Sequence, residues 1–204
     1  MIISHENRWI FLSNPKCAST TLRHVLTPYQ SYAADSDDPH VRANKVVEYF
    51  DAGSRRWDIN AYYKWTTIRH PAARLYSLHK FKHRMAYSGD TTNATLRFIM
   101  VSRGYVTRYP SFEAAVLDLN EFGPSLQTHY THYEGKPFCE AIARVETLAE
   151  DLQPIFNRLG LEVDDLPRLN VSDASDWESQ YSPQMRQIVL NRYADDFRLL
   201  GYDW

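Results

Sequence analysis

The chain has 204 residues, 44% of them apolar and 24% charged, with seven glycines and ten prolines, the size and balance of one globular domain that buries its own core. Collagen, low-complexity disorder and a disulfide mini-scaffold are excluded, because Cys17 and Cys139 are the only cysteines and two thiols fit a reducing compartment better than a stapled fold. A formal net charge of -2 removes the long-range attraction that a nucleic-acid binder carries, and no apolar run approaches the roughly 20 residues that cross a bilayer.

Met1-Ile2-Ile3-Ser4-His5-Glu6 lacks the basic and long apolar stretches of a signal peptide, so a soluble, unsecreted protein is expected. Ile2-Ile3 and then Arg8 to Ser13 read as strands. A helix follows, with Leu22, Val25 and Leu26 on one face, Ser19 and Thr20 as caps, and Pro28 as its stop. Residues 32 to 60 are polar and poorly periodic, a loop followed by a short helix around Val41 to Phe50.

Tyr62 to Ile68 is aromatic and β-branched and predicts a second strand, after which Pro71 opens a helix carrying Leu75, Leu78, Phe81 and Met85 as far as Ser88-Gly89-Asp90. Helices are expected near 93 to 102 and 112 to 120, the second capped by Ser111. Cys139 to Val145 is a weaker strand. Thr147-Leu148-Ala149-Glu150 then reads as a capping box, opening a helix that bends at Pro154 and ends at Gly160. Ser182 and Pro183 start a last helix with Met185, Ile188, Val189, Tyr193 and Phe197 on one face. Strands alternating with helices, without a repeat or linker, predict one α/β domain over residues 1–204 with a mostly parallel sheet.

No acidic residue occurs between Asp58 and Asp90, whereas Lys64, Arg69, Arg74, Lys80, Lys82 and Arg84 fall there with His70, His79 and His83. A small polyanion fits such a window, with a solvated helix face as the alternative for Lys80, Lys82 and Arg84. The most informative segment is Asn14 to Leu22, which places Lys16 and the hydroxyls of Ser19, Thr20 and Thr21 between a buried strand and a helix. Backbone N–H groups at a helix start hold phosphate-like oxygens, and the lysine adds a point charge. The loop contains no glycine and its lysine precedes the turn, so it fails the nucleoside-triphosphatase pattern G-x-x-x-x-G-K-[ST].

Pro15-Lys16-Cys17-Ala18-Ser19-Thr20-Thr21 resembles the 5'-phosphosulfate loop of sulfotransferases that use 3'-phosphoadenosine 5'-phosphosulfate (PAPS). Ile68-Arg69-His70-Pro71 with Arg74-Leu75-Tyr76-Ser77 resembles their 3'-phosphate motif, Arg69 and Ser77 standing eight positions apart. The likeness extends to the Golgi-type carbohydrate sulfotransferases, heparan sulfate 2-O-sulfotransferase among them, and their bacterial relatives. It takes in Arg144 to Leu148 with Glu150-Asp151, Leu166-Pro167 with Asn170, Asp196-Phe197 and Gly201-Tyr202. His70 stands where relatives carry Asp or Asn, and Cys17-Ala18 where many have a glycine-containing pair; the histidine would make donor affinity pH-dependent.

The resemblance implies a P-loop-like three-layer fold with a small central sheet flanked by helices. PAPS would be the co-substrate and 3'-phosphoadenosine 5'-phosphate (PAP) the product, with no metal. The acceptor would be a hydroxyl, of a carbohydrate rather than of a small aromatic alcohol. Lys16 stabilises the leaving group, because an ammonium gains most where charge develops. His40, in Pro39-His40-Val41-Arg42, is the expected base, with His129 and His132 in reserve; their spacing also suggests a metal pair, but without a third ligand. Glu146 either orients the base or acceptor, or pairs with Arg144, or begins a helix. Trp9 and Trp65 belong to the core. A small-molecule kinase and a non-catalytic nucleotide- or glycan-binding module are the rivals, and a cytoplasmic bacterial or viral setting is expected.

Overall fold

The computed structural model describes residues 1–33, 39–53, 57–87, 104–161 and 176–204. It divides into two compact units, Met1–Arg69 with Leu126–Val171 and His70–Ser125 with Ser172–Trp204. Among the described residues no helix is long and apolar enough to cross a membrane.

The first unit is built on a five-stranded sheet among the described residues. Its strands are β1 (Ile2–Ser4), β2 (Trp9–Leu12), β3 (Tyr32–Ala33), β4 (Tyr63–Ile68) and β7 (Ala141–Arg144), in the order β3-β1-β2-β4-β7. The centre is parallel, β2 on β4 and β4 on β7, while β1 joins β2 and β3 joins β1 antiparallel. A separate hairpin pairs β5 (His132–Tyr133) with β6 (Lys136–Pro137). Strand β2 has no polar residue because both of its faces are covered. Trp9 and Phe11 pack with Leu22 and Leu26 of α1 (Ser19–Leu26) and with Leu152, Ile155 and Phe156 of the helix Leu148–Leu159. Ile10 and Leu12 pack on the other face with Ala43, Val46 and Phe50 of α2 (Ala43–Gly53). The result is the expected three-layer α/β arrangement, in which each fully buried large apolar side chain contributes about 1.5–3 kcal/mol. Trp9 and Trp65 are both fully buried, as expected.

The second unit is helical: α3 (Pro71–Tyr87), α4 (Tyr105–Arg108), α5 (Phe112–Leu117), α6 (Leu119–Phe122), then α9 (Pro183–Arg192) and α10 (Ala194–Leu200); α7 (Thr128–Thr131) and α8 (Leu148–Leu159) belong to the first unit. Ser111 and Ser182 cap α5 and α9 as expected, accepting from the Ala114 and Met185 amides. The single last helix of the sequence reading is two. Tyr193, with φ -112 and ψ 25, leaves helical geometry between them, and its buried phenol donates to the Pro124 carbonyl at 3.0 Å. The Thr147 capping box does not form, since a 3-10 turn, Val145–Thr147, precedes α8 and Thr147 makes no side-chain cap bond. The Asp151 carboxylate instead accepts from the Arg144 amide at 2.7 Å. The helix expected near 93 to 102 and the family-like Leu166, Pro167 and Asn170 lie outside the described residues.

Candidate active site

Parallel pairing of β2 with β4 runs from Trp9 opposite Tyr63 to Leu12 opposite Thr66. The chain therefore leaves two neighbouring strands at one end of the sheet, into the Ser13–Ala18 loop after β2 and into Arg69 after β4. Open α/β sheets bind ligands at the carboxyl ends of their strands.

The loop after β2 turns tightly, the Cys17 amide donating to the Asn14 carbonyl at 3.3 Å. Lys16 and Ala18 lie in the left-handed region at φ 65 and φ 58. Glycine adopts that region freely, whereas other residues pay about 1–2 kcal/mol. The absent glycines of the sequence reading are thus replaced by strained residues with the turn retained. Ala18 is the N-cap of α1 and offers no side-chain acceptor, so Ser19 and Thr20 are not the caps expected of them and fall inside the first turn. Ser19 and Thr21 are buried, Thr20 is exposed, and Pro15 and Lys16 are half-buried. A left-handed turn leading into an uncapped helix presents amide donors and the positive end of the helix dipole to an anion.

A buried polar knot ties this loop to the end of β4. The Asn14 amide nitrogen donates to the Thr67 carbonyl at 3.1 Å, and the Thr67 hydroxyl donates to the Cys17 carbonyl. Gln127, fully buried, accepts through Oε1 from the Arg69 amide at 2.9 Å and from Asn14 Nδ2 and Cys17 Sγ, each at 3.3 Å, while its Nε2 donates to the Arg69 carbonyl at 2.8 Å. Gln127 was missed in the sequence, where its neighbours His129 and His132 drew the interest. An amide side chain carries no local signal of a partner 113 residues away.

His40 reaches the same strand end. Its Nδ1 donates to the Ser13 carbonyl at 2.8 Å, which places the basic lone pair of a neutral imidazole on Nε2. His129 is exposed on α7, and His132 Nδ1 is 2.8 Å from the Thr131 hydroxyl. Among the described residues no group of three or more His, Cys, Asp or Glu could hold a metal ion. Glu146 is exposed in the turn that leaves β7.

Several cations of the acid-free window already have partners within their own unit. Lys64 is buried, paired with Glu140 at 2.7 Å and bonded to the Tyr62 carbonyl. In the second unit Arg74 is buried and donates to the Ser125 carbonyl at 2.8 Å. Lys82 donates to the Phe122 carbonyl and lies over the Tyr105 and Phe122 rings, with burial drawing its pKa down to about 8. Lys80 and Arg84 lie over the rings of Tyr76 and Phe81. His70 packs against Trp177, ring centroids 4.4 Å apart, with Nε2 2.8 Å from the Asp203 carbonyl. The histidine that departs from the family's Asp or Asn is thus packed among aromatic rings. Ser77 is buried on α3 of the second unit.

No curated protein and no solved structure matches the chain. A model of the sulfotransferase family matches residues 1–203, taking in the lysine turn, the Arg69 strand end and His40. The protein is therefore an enzyme of the sulfotransferase family.

Proposed function

We propose that this sulfotransferase uses PAPS as donor and a carbohydrate hydroxyl as acceptor, with residues 1–204 acting as one catalytic domain. The observation that carries the reading is the parallel register of β2 and β4, which puts the Lys16 turn and Arg69 on neighbouring strand ends. In this reading the Lys16 turn, from Pro15 to Thr21, holds the 5'-phosphosulfate, and Arg69 with Ser77 holds the 3'-phosphate. Guanidinium forks suit that dianion. Likeness to carbohydrate sulfotransferases supports a sugar hydroxyl. Two buried cysteines outside any disulfide fit a cytoplasmic setting.

His40 Nε2 takes the acceptor's proton as its oxygen bonds to sulfur. The bond from sulfur to the bridging oxygen breaks, and PAP leaves with the electron pair on its 5'-phosphate. Positioning and electrostatics dominate such in-line transfers, so Lys16 acts by stabilising the charge that grows on the bridging oxygen.

Titration calorimetry with PAP tests the donor assignment. Saturable binding that ATP fails to match is expected, and a well-folded protein that binds no PAP overturns it. Incubation with labelled PAPS and a panel of sugars and aromatic alcohols then tests the acceptor: label passing to phenols alone rejects the carbohydrate.

A further inference from the structure

We propose that Gln127 is the positioning residue that sets the span between the Lys16 turn and Arg69, so that the site prefers a ligand with two phosphate ends. This rests on the donor reading above. Gln127 contacts the backbone of Arg69 and two side chains of the lysine turn without belonging to either segment. Its Nε2 and Oε1 pair with the Arg69 carbonyl and amide at 2.8 and 2.9 Å, the two-bond pattern by which a neighbouring strand would pair with that residue. The same Oε1 faces Asn14 Nδ2 and Cys17 Sγ in the lysine turn. Turning the amide over would aim its NH2 at three donors and its oxygen at a carbonyl, so the surrounding groups fix which end is which.

Asn14, Cys17, Thr67 and Gln127 are each buried, and a buried polar network holds one geometry when every member is satisfied. A ligand gripped at both ends gains from the second contact only if the two grips are already at the right separation. A loosened Gln127 would leave each grip able to bind a single phosphate while removing that joint gain.

The test compares PAP, adenosine 5'-phosphate and adenosine 3'-phosphate by calorimetry on the wild type, Gln127→Met and Gln127→Glu, with near-ultraviolet circular dichroism as the fold control. Methionine keeps the length and loses every hydrogen bond; glutamate keeps the acceptor but cannot donate to the Arg69 carbonyl. The wild type is expected to bind PAP far more tightly than either monophosphate. Both variants should lose that margin by tenfold or more, with monophosphate affinities changed less than about threefold. Should Gln127→Met not fold, Gln127→Asn, one methylene too short to span both loops, carries the same comparison. A margin retained in the folded variants, or a parallel fall for all three nucleotides, overturns the positioning role alone. A wild type with no preference for PAP overturns the donor reading and this inference together.

Discussion

The two units put the same kinds of side chain to different uses. In the first, Lys16 and Arg69 are half-buried at the ends of neighbouring parallel strands, and His40 is held by a carbonyl of the adjoining loop. In the second, Arg74, Lys82, His70 and His79 are packed among aromatic rings or bonded to backbone carbonyls. Crowding of cationic residues in sequence therefore does not by itself say what each one contacts. What separates the groups is their setting: Lys16 lies in a left-handed turn at a helix start, whereas Arg74 and Lys82 donate to backbone carbonyls and His79 packs against aromatic rings.

The sharpest way to break this comparison is to remove one cation from each class. Lys16→Ala should lower turnover with labelled PAPS by about 10²-fold or more while leaving urea denaturation unchanged, since alanine meets the same left-handed backbone cost. His40→Ala should lower turnover by about 10²- to 10⁴-fold with PAP affinity held within about threefold; intact turnover would move the base to His132 or His129. Arg74→Met is expected to do the opposite of Lys16→Ala. It should cost about 2–4 kcal/mol in urea denaturation, because the Ser125 carbonyl loses a buried partner.

A pH titration sharpens the same contrast. Burial first, and then the charges of His83 and Lys82, draw the His79 pKa from 6.5 down to about 4. Between those values the unfolded chain binds a proton that the folded one refuses, so stability falls as pH drops from about 6.5 toward 4, by up to about 3 kcal/mol. His79→Phe should flatten that part of the urea-midpoint profile; an unchanged slope would assign it to other groups. The smallest effect is expected at the lysine turn itself. Ala18→Gly relieves a left-handed alanine and should raise stability by about 0.5–1 kcal/mol after the added freedom of the unfolded chain is counted. An unchanged or lowered denaturation midpoint would show that the strain is not stored there.

Much of this was legible in advance. The apolar run at Trp9–Leu12, the aromatic and β-branched run at Tyr63–Ile68, and the prolines and serines that open α3, α5 and α9 marked their elements to within a residue or two. The Lys16 turn stood out because few chemistries need a lysine and three hydroxyls between strand and helix, and Arg69 because its segment resembles a sulfotransferase motif. Where the reading slipped, the chain had taken another course: a 3-10 turn stands where the capping box of Thr147 and Glu150 was expected, and the Tyr193 phenol bonds to Pro124 at the break between α9 and α10.

Residue order by itself determined the strand-turn-helix units, the two-faced burial of β2 and the residues available to hold anions, since these follow from short-range periodicity and turn chemistry. Only the tertiary structure decided that Lys64 would pair with Glu140, that His70 would stack on Trp177, and that Gln127 would join Arg69 to Asn14. Such contacts span from 58 to 113 residues of chain. They depend on which strands lie side by side and on where buried polar groups find partners, and no local pattern encodes that choice.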